Sequence, residues 1–221
     1  MILVHDLARS TAHALNNAVG TLFVAADSLE APARDKSHAR ARAAVEGACA
    51  SIRALAAALE LLAIAPADVV AALERDAVDL EAEEVESMLE ILHGVCGIET
   101  EGVLRGLPPL RTRLDRGTLQ AVLVCACSEI RYAVGMAVPL RFEVRVEGGS
   151  VSAGGRLLFE VAVQGGNSQE VTKTAPVPAW RRHPCGLGLE HAAALLAPLG
   201  VSIGMESASS TLVIVSSEVD K

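Results

Sequence analysis

The stretch HALNNAVGTLFVAADSLE, residues 13–30, sets the fold of the first part of the chain. Ala8, Ala12, Leu15, Val19, Leu22, Ala26 and Leu29 follow one another at intervals of three or four residues. That spacing is the seam of a helix packed in a bundle. Carried back by three, it reaches His5, which is expected near the seam. His13 falls one residue past Ala12, about 100° around the helix, and is expected on the solvent-facing flank. Ala31-Pro32-Ala33-Arg34-Asp35 then breaks the helix and turns the chain. A second seam runs Val45, Ala48, Ile52, Leu55, Leu59, Leu62 and stops near Pro66. Two amphipathic helices joined by a short link predict an antiparallel hairpin. A hairpin this rich in Ala and Leu cannot cover both seams alone, so a second copy is expected to complete a dimeric four-helix bundle.

Composition bounds the rest. The chain has 221 residues, enough for one large or two small domains, and 51% of them are apolar. Aromatics are 2%, so the core is built from Ala, Leu and Val. A formal charge of −8 without a basic run argues against nucleic acid and anionic membrane as partners. The five cysteines (49, 96, 125, 127 and 185) make no CxxC pair, which fits free thiols in a reducing, cytoplasmic compartment. No signal-peptide pattern opens the chain, and no run of about 20 uncharged apolar residues occurs.

Beyond Pro66 the pattern changes. Residues 67–95 read as helical, with glutamates on a solvated face. A helix is expected from about 115 to 134. PLRFEVRVEGG (139–149) and RLLFEVAVQGG (156–166) alternate as strands. GLGLEHAAALLAPLG (186–200) reads as a glycine turn, a helix and a terminating glycine, and VSIGMES and STLVIVSSEV as closing strands. The expected fold is α+β: residues 1–65 a helical hairpin, and residues 67–221 an α/β sandwich with helices on one face of a mixed sheet.

In this order the segments resemble the catalytic core of bacterial sensor histidine kinases over nearly the whole chain. HALNN resembles the phospho-acceptor motif, and the distance from His13 through Glu30 to the turn matches the family's length. VDLEAEEVESMLEILHGV (78–95) resembles the lead-in helix of the ATP-binding domain. LDRGTLQAVLVCACSEIRYAV (114–134) resembles the helix of the asparagine box, and CGLGLEHAAALLAPLGVSI (185–203) the last glycine box.

The departures are chemical. The acid that normally follows the acceptor histidine is Ala14. The asparagine that helps to hold Mg²⁺ in the family is Glu129, and the earlier Asn of that box is Cys125. The adenine-binding acid is missing from Val163-Gln164-Gly165-Gly166-Asn167, and a short lid carries Pro176, Pro178 and Pro184. Phosphoryl transfer from ATP rests on positioning and metal-assisted charge stabilisation, so autokinase activity is not expected. Gly186 and Gly188 remain as degenerate nucleotide-site positions.

His13 and Asn17 survive, one helical turn apart. Imidazole both accepts and passes on a phosphoryl group without an ATP site. The resemblance is to the branch of dimeric histidine phosphotransferases whose second domain is nucleotide-free and docks response regulators. It implies a phosphorelay intermediate that exchanges phosphate between His13 and receiver aspartates. No cofactor is expected on this chain, with Mg²⁺ only on the partner receiver domain. Two alternatives stand beside it: a pseudokinase scaffold without phosphotransfer, which Ala14 favours, and an atypical kinase in which Glu129 carries the metal. His183, Cys185, Cys125 and Cys127 match no standard ligand spacing. His191 reads as structural or surface, and Gly165-Gly166 as a turn.

Overall fold

A computed structural model describes residues 11, 15–22, 24–25, 35–96, 99–100, 110–134, 140–147, 156–163, 183–207 and 210–216. The first helix, α1, is described over 15–22 and 24–25. It is followed by α2 (Asp35–Ala63), α3 (Pro66–Glu74), β1 (Val78–Leu80), α4 (Ala82–Cys96), β2 (Glu99–Thr100) and β3 (Leu110–Thr112). Then come α5 (Arg116–Val134), β4 (Leu140–Glu147), β5 (Arg156–Val163), α6 (Pro184–Leu196), a 3-10 turn (Ala197–Leu199), β6 (Val201–Ser207) and β7 (Ser210–Ser216). The chain is α+β.

Local chemistry places the helix starts. Pro66 opens α3, where a missing N–H costs nothing, and the Asp68 carboxylate accepts the Ala65 N–H at 2.8 Å. Asp115 opens α5, accepting the Thr118 N–H at 2.9 Å and its hydroxyl at 2.7 Å. Gly200, at φ 80°, ends the 3-10 turn in the left-handed region, the terminating glycine expected there.

Five strands form one sheet in the order β2-β4-β5-β7-β6, with β2 parallel to β4 and the other pairs antiparallel. The period of two sorts β4 and β5 into faces. Leu140 and Phe142 of β4 and Leu157 and Phe159 of β5 are buried. Val144 stands opposite Phe159, and the two phenylalanine rings lie 6.1 Å apart. On the other face Glu143 meets Arg141 and Arg145, and Arg145 reaches across to Glu160. The hydrogen bond from Arg145, with the charges of both arginines, holds the Glu143 carboxyl below its ordinary range against a smaller opposing effect of burial. A depressed carboxyl adds stability above its unfolded pKa of roughly 4.3 and loses it as pH falls through the folded value. Glu143→Gln is therefore expected to cost no more than about 1 kcal/mol at neutral pH. The difference from the parent should vanish in acid unfolding curves.

The stretch 67–95, expected as one helical region, is α3 and α4 separated by β1. Val78, Asp79 and Leu80 pair with Thr112, Arg111 and Leu110. Their partner strand lies some 30 residues further on, so no local pattern announced it. No single helix among the described residues is long and apolar enough to cross a membrane.

The core crosses Pro66. Ala54, Ala57, Ala58 and Leu61 of α2 are buried in the same cluster as Leu89 and Leu92 of α4, Leu119 and Val122 of α5, and Leu189 and Ala192 of α6. α2 is thus built into the same core as α4, α5 and α6. Ala41 and Ala48 in its first half lie along one line of the helix. Ala58 and Leu61 lie about 90° and 150° around from that line, towards α5 and α6.

The two seams are therefore only partly buried within one chain. Ala18 and Ala25 are buried on α1, while the seam residues Leu15 and Val19 are 44% and 38% exposed. On α2, Ala48 and Leu55 are buried, but Ile52 and Leu59 are 38% and 45% exposed. The burial of α2's second half against the body takes up one of its faces and turns these two side chains outward.

Candidate functional site

Two regions carry the residues singled out in the sequence. The first is α1. Asn17 is exposed, and its carbonyl accepts the Thr21 hydroxyl at 2.9 Å, a bond between successive turns of the helix. Asn16, Asn17, Gly20, Thr21 and Val24 line one open groove along this helix. His13, His5 and Ala14 lie outside the described residues.

The second region is the start of α6. The expected glycine turn is not a turn: α6 begins at Pro184, so Gly186 and Gly188 lie inside the helix. Neither has a positive φ. What both positions need is closeness. A Cβ on Gly186 would stand 2.8–3.0 Å from the Glu129 carboxylate of α5. A Cβ on Gly188 would stand 3.3 Å from the Ala58 carbonyl oxygen and 3.4 Å from Leu61 Cβ, both on α2. Glycine pays a helix penalty of about 1 kcal/mol against alanine, offset here by the close approach of two helices. Because the neighbour of Gly188 is backbone, it cannot swing aside. Gly188→Ala is expected to destabilise by about 1–3 kcal/mol in chemical denaturation.

Other contacts fix α6 on its neighbours. His183 sits at the N-cap, its Nδ1 accepting the Cys185 N–H at 3.3 Å. The same nitrogen is 3.9 Å from Glu129 Oε2, and the ring stacks at 4.9 Å on the exposed Tyr132. Cys185 is fully buried, and its thiol donates to the Ala54 carbonyl at 3.4 Å. Contact with Cys125 and burial push this thiol well above its ordinary pKa, so it stays protonated. His191, half-buried, donates from Nε2 to the Ile64 carbonyl at 2.9 Å. Cys125, Cys127 and Cys185 are buried thiols outside any disulfide, and no described group of three or more His, Cys, Asp or Glu side chains is placed to hold a metal.

The structure thus brings together Glu129, His183, Cys185, Gly186 and Gly188, with Ala54, Ala58 and Leu61 of α2 against them. Sequence reading did not anticipate α2 in this place. Its signal was the pair of small residues Ala57-Ala58, which permit a close helix crossing. Val163 ends β5, and residues 164–167, where the adenine-binding acid is missing, lie outside the described residues.

With this element order and sheet, the chain has an α+β fold. Similar solved structures include a bacterial phosphotransferase, at 13% identity and TM-score 0.49 over 96% of this chain and 94% of that one. The Acinetobacter baumannii histidine kinase AdeS is similar at 16% identity and TM-score 0.42, over 94% and 96%. A histidine kinase from Burkholderia phymatum is similar at 15% and 0.39, over 96% and 98%. No protein-family model and no curated protein sequence matches the chain.

Proposed function

We propose that the chain is a histidine phosphotransfer protein of a two-component phosphorelay, acting as a homodimer and exchanging phosphate between His13 and receiver-domain aspartates without ATP. Residues 1–65 form the dimerisation and phosphotransfer hairpin, and residues 67–221 a degenerate ATPase-like domain. The observation that carries this reading is the filling of the α6 start. A nucleotide phosphate needs open glycines and N–H groups at a helix N-terminus. Here Gly186 lies against the Glu129 carboxylate and Gly188 against the backbone of α2. An acid at that position also repels phosphate.

The hairpin keeps what phosphotransfer requires. A His13 ring nitrogen attacks the phosphorus of a receiver's acyl phosphate; a P–N bond forms, and the aspartate carboxylate leaves. The second transfer reverses this on another receiver, whose own Mg²⁺ stabilises the charge. Asn17, exposed one turn along, is within reach of the same phosphoryl group. Leu15, Val19, Ile52 and Leu59 supply the apolar surface for a second copy. Light scattering at micromolar concentration should give a dimer mass, and a monomer would defeat the bundle.

The deciding experiment is incubation with a phosphorylated receiver domain, followed by assay for acid-labile phosphate on this chain. Calorimetry with Mg·ATP should show no binding. A second reading, a scaffold that binds a partner without phosphotransfer, is favoured by Ala14, and the absence of acid-labile phosphate would select it.

A further inference from the structure

A cavity of about 250 Å³ lies where the ends of α2 and α6 meet α3 and the turn before α5. Its floor is apolar: Val69, Leu114, Leu196 and Leu199, all buried. Charged groups line its mouth, and most are already engaged. The Asp68 carboxylate takes the Ala65 N–H, and Asp115 takes both donors of Thr118. Arg113 has contacts of its own. Two exposed groups differ. Arg75 donates through Nε to the Ala71 carbonyl at 3.3 Å, which leaves its terminal nitrogens open. Glu60 makes no hydrogen bond or ion pair with a described residue, and it is not paired with Arg75.

We propose that this cavity binds a free α-amino acid with an aliphatic side chain. An open cation and an open anion above an apolar floor complement a zwitterion with a short apolar tail. The ligand carboxylate pairs with Arg75, its ammonium with Glu60, and the tail covers Leu114 and Leu196. A simple carboxylate would leave Glu60 facing a like charge, and a simple amine would do the same to Arg75. The small volume suits a ligand of this size, with a few polar groups fixing its orientation. The inference concerns a different face from α1 and goes beyond phosphotransfer.

Isothermal calorimetry on the full chain with L-leucine tests it, with no receiver present. Binding is expected at about millimolar strength, and isovalerate, isoamylamine and glycine should each bind about tenfold more weakly. Glu60→Gln and Arg75→Gln should each weaken leucine binding about tenfold. Their unfolding temperatures should stay unchanged, since both side chains are exposed. Ala63→Trp, which fills the mouth from an exposed position, should abolish binding. No heat from leucine up to about 10 mM, isovalerate binding as well as leucine, or indifference to both charge variants would each overturn the proposal.

Discussion

Leu61→Ala is expected to destabilise the whole chain by about 2–5 kcal/mol, although Leu61 lies on α2, ahead of the boundary expected at Pro66. Its side chain is fully buried, in the cluster that joins α2 to α4, α5 and α6. The loss combines apolar surface returned to water with a cavity that its surroundings cannot close. Gly188 stands close to the Leu61 Cβ and has no side chain to move into the space. The upper half of the range is therefore expected. Circular dichroism in urea should show one transition, shifted as a whole. Two transitions, with only one displaced, would mean that the hairpin and the α/β body unfold independently and that their shared core contributes little.

His13→Ala is expected to abolish phosphate uptake from a phosphorylated receiver, because no described α1 side chain offers an imidazole in its place. Asn17→Ala should slow transfer by about tenfold, the scale of one lost hydrogen bond to a charged group. Neither change should alter the dimer mass or the unfolding midpoint. His13 falls one step past the seam, and Asn17 is exposed. Full transfer by His13→Ala would remove the acceptor from the proposal. Loss of transfer with loss of the dimer would assign His13 a packing role instead.

Much of the architecture is legible in short windows. The helix expected at 115–134 is α5, Arg116–Val134, and the alternating stretch 139–149 holds β4, Leu140–Glu147. The start of α2 at Asp35 and the new helix at Pro66 follow from local chemistry. These features depend on neighbours within about seven residues, the range over which helix and strand periods act. The glycines of α6 were misread because proximity and turn geometry leave the same letter in a sequence. Gly186 and Gly188 serve an approach by Glu129 and Ala58, and no window around residue 186 contains either.

The candidate site divides the same way. The sequence by itself determined the chemical inventory: His13 with Asn17 one turn on, Ala14 without a carboxylate, and Glu129 where the resemblance called for an asparagine. It also determined that α1 and α2 carry apolar stripes. Only the tertiary structure decided which side of each stripe is covered. Cys185 donates to Ala54 across 131 positions of chain, and Leu61 packs beside Gly188. Such contacts form when elements with their own local preferences compete to bury surface. In α2 the α/β body takes Ala58 and Leu61, leaving Ile52 and Leu59 to solvent. Periodicity states that a helix has an apolar face, but the partner that covers that face is set by packing between segments far apart in the chain.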